Sequence, residues 1–262
     1  MTALELEGLT VAGPSGNLIL DDISFQVDEG EIVGLVGESG SGKSMTSLAL
    51  AGLLPAVMTP LAGTARLGGS KFMTDGRLTA RPEISIVFQN ARAALNPTMR
   101  IGAQIERLLK SRGRRKGLAE EADRLLISVG IVDPARVRRA YPHQLSGGMN
   151  QRVMIALGIA AEPDVLIADE PTTGLDVTVQ AQILDLIKRT TASSGRGVLL
   201  ITHDLGVVAQ MCSRVVVLYG GKIMEVGAVD DIFHNPTNAY TKELVAAAMS
   251  EVVRRTRTEA AR

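Results

Sequence analysis

The chain has 262 residues, with 28 basic and 28 acidic side chains, so it lacks the basic excess that marks a nucleic-acid binder. Apolar residues make up 45% and charged residues 21%, enough for a large buried core and against disorder. Cys212 is the only cysteine, which excludes an internal disulfide framework and fits a reducing compartment.

The opening Met1-Thr2-Ala3-Leu4-Glu5-Leu6-Glu7 is acidic and alternating, unlike a signal peptide. Leu4 to Leu9 and Ile19 to Val27 read as short alternating strands joined by the turn-rich Gly13-Pro14-Ser15-Gly16-Asn17, a small antiparallel sheet. Ile32-Val33-Gly34-Leu35-Val36 reads as a buried strand. A glycine-rich loop follows, then a helix from about Lys43 to Leu53. Residues 95 to 161 read as mostly helical. Ile101, Ile105, Leu108 and Leu109 share one helical face, and Leu125, Leu126 and Val129 another. Strands return at Val165-Leu166-Ile167-Ala168 and Val198-Leu199-Leu200-Ile201, with a helix between them that carries Ile183, Leu184, Leu186 and Ile187. Val215-Val216-Val217-Leu218 and Lys222-Ile223-Met224-Glu225-Val226 flank Tyr219-Gly220-Gly221, a hairpin signal. Arg254 to Arg262 is charged and expected to fray. The alternation of strands and helices predicts an α/β fold with a largely parallel sheet. No apolar run approaches the roughly 18 residues that span a bilayer, so a role at a membrane would come through partner chains. Cys212 lies in an apolar stretch and reads as a packed core residue. The basic run Arg112-Gly113-Arg114-Arg115-Lys116 reads as a solvated loop between helices.

Two segments carry chemistry. Gly37-Glu38-Ser39-Gly40-Ser41-Gly42-Lys43-Ser44 matches G-x-x-x-x-G-K-[ST] between a buried strand and a helix. Its glycines let backbone N–H groups turn toward phosphate oxygens, and the positive end of the helix points at the same anion. Lys43 would neutralise the terminal phosphates and Ser44 would coordinate Mg²⁺. The second segment, Asp164-Val165-Leu166-Ile167-Ala168-Asp169-Glu170, is an apolar strand ending in two acids. Asp169 is placed to hold Mg²⁺ directly or through water, and Glu170 to polarise an attacking water.

Leu145-Ser146-Gly147-Gly148-Met149-Asn150-Gln151-Arg152 closely resembles the LSGGQ signature of ATP-binding-cassette ATPases. Other family elements then fall into order: the phosphate loop at 37–44, a glutamine loop at Gln89, the signature at 145–149 and the acidic strand at 165–170. A D-loop follows at Gly174-Leu175-Asp176, and a switch histidine, His203, in Ile201-Thr202-His203-Asp204. The resemblance runs from about residue 4 to 245. It implies a P-loop NTPase core of the RecA-like type. That core would span 1–90 and 162–235 with a small antiparallel β subdomain, and a helical signature subdomain would cover 91–161 with a C-terminal extension over 236–262. Ser146 suits the N-cap of a helix from Gly147 to Ala161, and its hydroxyl with the N–H groups of Gly147 and Gly148 forms a second anion-binding terminus. In the family that terminus serves ATP held by the other subunit, so two chains sandwich two nucleotides head to tail. By the same resemblance Asp176 contacts nucleotide, Gln89 contacts Mg²⁺ and the lytic water, and His203 contacts the γ-phosphate and holds Glu170 and the water in line. His143 and His234 read as surface or packing residues, with nucleotide contact the alternative for His143, which lies two residues before the signature.

Three stretches resemble the peptide and nickel importer group: Ala94-Leu95-Asn96-Pro97-Thr98-Met99-Arg100-Ile101-Gly102, Tyr141-Pro142-His143-Gln144-Leu145, and Thr172 to Leu184. The tail Asp231-Ile232-Phe233-His234-Asn235-Pro236 with Ala239-Tyr240-Thr241 does too. The implied partners are two transmembrane permease subunits, a second ATPase subunit and an extracytoplasmic substrate-binding protein, with no nucleic acid. The implied place is the cytoplasmic face of a bacterial inner membrane. Rival readings are a soluble cassette ATPase of DNA repair or translation, a regulatory module without turnover, and an exporter subunit. The chain departs from the family pattern in three ways. No aromatic precedes Phe25, which leaves Val11, Leu18 or a partner group to cover adenine. Cys212 as sole cysteine implies no iron–sulfur centre. Asn150 stands where many relatives carry a basic residue.

Overall fold

The computed structural model describes residues 1–260, with side chains for all of these except 193–194 and 251–260. The chain forms two compact units, Met1–Pro82 with Gly197–Arg262, and Glu83–Arg196.

The first unit begins with β1 (Thr2–Ala12) and β2 (Leu18–Asp28), which pair antiparallel. Alternation along β1 buries Leu4 and Leu6, then resumes one residue out of phase at Leu9 and Val11. Gly8 takes a positive φ of 63° at this break and its N–H donates to Ser24 Oγ at 2.8 Å, so a bulge keeps one face apolar. Next come β3 (Ile32–Val36), buried at every residue, and α1 (Lys43–Leu50). α1 ends before the predicted Leu53. Gly52 at φ 71° lets Leu53 N–H reach back to Leu48 O at 2.8 Å, a glycine closure that stops the helix. β4 (Thr59–Leu67), β5 (Ser70–Thr74) and β6 (Arg77–Leu78) complete a five-stranded sheet in the order β2-β1-β4-β5-β6. The sequence reading did not foresee these three strands.

The second unit opens on β7 (Ile84–Val87) and the single turn α2 (Ala91–Ala94). Then follow α3 (Ile101–Ser111), α4 (Leu118–Ser128), α5 (Pro134–Arg139), a short 3₁₀ turn at Pro142–Gln144, and α6 (Gly147–Ala160). Of the predicted faces, Ile101, Ile105, Leu109, Leu126 and Val129 are buried, while Leu108 and Leu125 lie half-buried at their edges. β8 (Val165–Asp169) runs parallel to β7, and α7 (Val177–Ser194) buries Ile183, Leu184, Leu186 and Ile187. The basic run at 112–116 is exposed, with Arg112 paired to Glu83 and Arg114 to Glu162.

The chain returns to the first unit with β9 (Gly197–Ile201), α8 (Leu205–Met211), β10 (Arg214–Tyr219), β11 (Lys222–Ala228), α9 (Val229–His234) and α10 (Ala239–Ala260). β3 lies between β9 and β10 and is parallel to both, while β11 adds antiparallel to β10. A strand flanked on both sides is apolar throughout when both its faces are covered, as β3 is. The β10–β11 link is a two-residue turn with Gly220 at φ 53° and Gly221 at φ 78°, the geometry the Gly-Gly pair predicts. Val36, Val208, Val215, Val217 and Ile232 form a core cluster against which Cys212 packs. Burial, with the nearby Glu31 carboxylate, pushes the Cys212 thiol up to about 12, in keeping with the core reading. Residues 261–262 and the side chains of the tail expected to fray over Arg254 to Arg262 lie outside the described residues.

Candidate nucleotide site

The phosphate loop leaves β3 at Gly37. A Cβ built there would lie 2.0 Å from Leu218 O, and φ is 149°, so only glycine fits between the loop and β10. Gly40 (φ 80°) and Gly42 (φ 109°) turn the loop into α1. No side chain caps α1 and no acid stands in its first turn, so its N–H end is suited to an anion. Lys43 is buried, and its ammonium donates to Gly37 O and Glu38 O at 2.8 Å each. Glu38, Ser39, Gly40 and Ser44 are exposed, whereas Ser41 is buried. A glycine-turned loop, an uncapped helix end and a lysine held at its base are the features that suit a polyphosphate.

The same unit carries His203, exposed just past β9. Its neighbours are fixed: Asp204 N–H donates to Thr202 Oγ1 at 3.0 Å, and Asp204 Oδ1 caps α8 by accepting from Gly206 N–H at 2.8 Å. Val11 is fully buried, which removes it as a cover for adenine, and Leu18 is exposed.

In the second unit, β8 delivers Asp169 and Glu170 at its end. Asp169 is buried, and Glu170 adopts φ 45°, a left-handed conformation uncommon outside glycine. Gln89 Nε2 and Thr173 Oγ1 both donate to Glu170 Oε2 at 2.8 Å. Two residues predicted from separate motifs, Gln89 and Glu170, thus meet directly, and Thr173 joins them. The signature segment behaves as its residue types predict. Ser146 Oγ caps α6 by accepting from Met149 N–H at 3.3 Å. A Cβ on Gly148 would meet Val179 Cγ1 at 2.9 Å, so this glycine also allows close packing. Asp176 caps α7 by accepting from Val179 N–H at 3.0 Å.

Asn150 gains a structural account. It is 1% exposed, and the two N–H groups of its Nδ2 are shared among Pro142 O, Leu145 O and Ser146 O, which lie at 3.1, 3.4 and 3.2 Å. It therefore ties the start of α6 to the turn before it, where a basic side chain would have to bury its charge. Asn150 and Gln151 line a groove of about 380 Å³ with Gln89, Arg92, Gly147 and Gly174. His143 stacks on Tyr141 at 5.6 Å, and His234 Nδ1 lies 2.9 Å from Asp230 O, both local packing roles.

Sequence reasoning missed three residues. Thr173 sits three positions after Glu170, and that turn spacing was available as a signal. Tyr219 and Tyr240, which flank the phosphate loop with ring centroids 4.3 Å apart, gave none that bears on the loop.

Among the described residues no group of three or more His, Cys, Asp and Glu could hold a metal ion. Within their own units, Ser44 presents a hydroxyl at an exposed position, and Gln89 and Asp169 present an amide and a carboxylate, all oxygen donors of the kind Mg²⁺ takes.

A P-loop bearing strand, an acid-tipped strand and a serine-capped glycine helix define a P-loop NTPase, and solved structures agree. One described as the ATP binding subunit of an ABC transporter aligns with TM-score 0.76 at 28% identity, covering 94% of this chain and 99% of that one. A dimeric ATP-binding cassette in a post-hydrolysis state with ADP and Pi aligns with TM-score 0.74 at 27% identity, covering 86% and 98%. The model of the ABC transporter family matches residues 20–173. The chain is 46% identical over 244 residues to the dipeptide transport ATP-binding protein DppD of Bacillus subtilis, covering 86% of this chain and 69% of that protein. It is 42% identical over 252 residues to the oligopeptide transport ATP-binding protein OppD of Salmonella typhimurium, covering 91% and 73%. The chain belongs to the ABC transporter family and is a transport ATPase of it. Among the described residues no helix is long and apolar enough to cross a membrane.

Proposed function

We propose that the chain hydrolyses ATP with Mg²⁺ to energise an importer of dipeptides or oligopeptides, working with membrane permease subunits, a binding protein and a second ATPase subunit at the cytoplasmic face. The peptide cargo rests on the relatives DppD and OppD. Nickel finds no counterpart in those two relatives. The N–H groups of residues 39–44 and Lys43 bind the phosphates, and Ser44, Gln89 and Asp169 would hold Mg²⁺, which would screen the charge on the phosphates. Glu170 accepts a proton from water, His203 holds the water and γ-phosphate in line, and Ser146, Gly147, Gly148 and Asp176 serve the nucleotide of the second subunit. The helical signature subdomain is taken as residues 91–161.

The observation that carries this reading is the Glu170 carboxylate. It stands on strained backbone and is oriented by two donors on one oxygen. Strain of this kind costs on the order of 1–3 kcal/mol and collects at working residues. Glu170→Gln keeps the shape and removes the base. Phosphate release by the purified complex with its permease should fall about 100-fold or more, with ATP still bound. Turnover near the parental rate would make the assignment wrong.

A further inference from the structure

We infer that Tyr240, at the start of α10, is a positioning residue of the phosphate loop, so that the segment after the cassette core sets nucleotide affinity. The inference rests on the reading that residues 37–44 bind phosphate. Tyr240 hydroxyl accepts a hydrogen bond from Glu38 N–H at 3.3 Å, across 202 positions of sequence. Its ring rests on Tyr219 at 4.3 Å between centroids. Tyr219 is the last residue of β10, and the turn beyond it grips the loop from the other side, with Gly221 N–H donating to Ser41 O at 3.0 Å. The loop is therefore held at Glu38 by Tyr240 and at Ser41 by Gly221, and the tilted contact of the two rings joins the two holds.

Tyr240 is itself anchored. Glu225 Oε1 accepts from Thr237 N–H at 2.8 Å and Thr237 Oγ1 at 2.7 Å, and Glu225 Oε2 accepts from Asn238 N–H at 3.1 Å. Asn238 Oδ1 then accepts from Tyr240 N–H at 2.9 Å. One carboxylate on β11 thus fixes the chain that presents the tyrosine. Burial alone would raise that carboxyl, but the bonds from Thr237 and Asn238 outweigh it and bring it down to about 2. The anchor is therefore charged at neutral pH.

Glu38, Ser39 and Gly40 are otherwise the exposed crest of a loop with positive φ at Gly37, Gly40 and Gly42. Such a segment samples many conformations unless tied, and nucleotide binds only the fraction with its N–H groups turned inward. A bond at Glu38 raises that fraction before nucleotide arrives.

The test uses the full chain and a fluorescent methylanthraniloyl ATP. Tyr240→Phe keeps the ring and its contact with Tyr219 and removes only the hydroxyl. Affinity should drop about three- to tenfold, the range for one hydrogen bond. Amide hydrogen exchange over residues 37–42 should rise while the Tm and exchange elsewhere stay at parental values. Tyr240→Ala should weaken binding further. Lys43→Ala separates the two ideas: if it binds nucleotide like the parent, the phosphate-loop reading itself fails. If Lys43→Ala abolishes binding but Tyr240→Phe leaves affinity and loop exchange unchanged, the positioning role of Tyr240 is overturned. A loss of affinity in Tyr240→Phe that comes only with a lower Tm would overturn it equally.

Discussion

Replacing Gly37 with alanine drives a methyl group into the seam between the phosphate loop and β10. The new carbon would sit 2.0 Å from Leu218 O, 2.9 Å from Ser41 Oγ and 3.0 Å from Leu218 C. Leu218 cannot retreat cheaply, because β10 is paired to β3 on one side and β11 on the other. Overfilling a packed site costs about 1–3 kcal/mol. The φ of 149° adds strain of about 1–3 kcal/mol. The expected loss is therefore about 2–6 kcal/mol, or a loop pushed out of place. Gly40→Ala is the control: φ is 80° but no atom lies within 4 Å of the added carbon. Only the left-handed backbone is penalised there, by about 1–2 kcal/mol. Urea unfolding at pH 7 reads stability, and nucleotide titration reads the loop. Gly37→Ala should lose the larger amount of stability and bind nucleotide far more weakly. If it unfolds within about 1 kcal/mol of the parent, or if Gly40→Ala costs as much, the packing argument is refuted.

Glu31 offers a pH test. Burial works to raise its carboxyl, but the Arg214 guanidinium, Asp28 N–H and Ser213 hydroxyl together hold it at about 2. A depressed carboxyl contributes stability that is present above its unfolded value of 4.5 and lost as pH falls toward about 2. Glu31→Gln should cost about 1–2 kcal/mol at pH 7 after allowing for solvent screening, and should flatten the loss of stability on acidification below 4.5. Equal unfolding curves for the two proteins across that window would contradict this. Asn150→Ala removes the two N–H donors that three carbonyls near the start of α6 share. Thermal unfolding should register about 2 kcal/mol of lost stability. The Cys212 thiol, raised to about 12, should react with iodoacetamide at pH 8 at least about tenfold more slowly in the folded chain than in urea.

Much of the site was legible because its chemistry is local in sequence. A phosphate loop needs its glycines, lysine and serine within eight consecutive positions, and a capped helix end needs its serine adjacent to its glycines. The same holds for the apolar strand that ends in Asp169-Glu170. β4, β5, β6 and β7 give no strand signal because their alternation is broken or too short, β7 having four residues. β4 has exposed or half-buried residues over most of its length, and β6 has two residues. Leu53 was placed in α1 because the apolar period continues to it, whereas the helix is ended by the left-handed backbone of Gly52.

By itself the sequence determined the family, the order of strands and helices around each motif, and which residue types stand at the phosphate loop and the acidic strand, since all depend on near neighbours. Only the tertiary structure decided what supports them. It brought Thr173 and Gln89 onto one oxygen of Glu170 and turned Glu170 into a left-handed conformation. It buried Asn150 against the carbonyls before α6, and it carried Tyr240 across 202 positions to the loop at Glu38. The physical reason is that a side chain's hydrogen-bond partners depend on which surfaces folding brings together. Apolar periodicity specifies which face is buried but not what is packed against it.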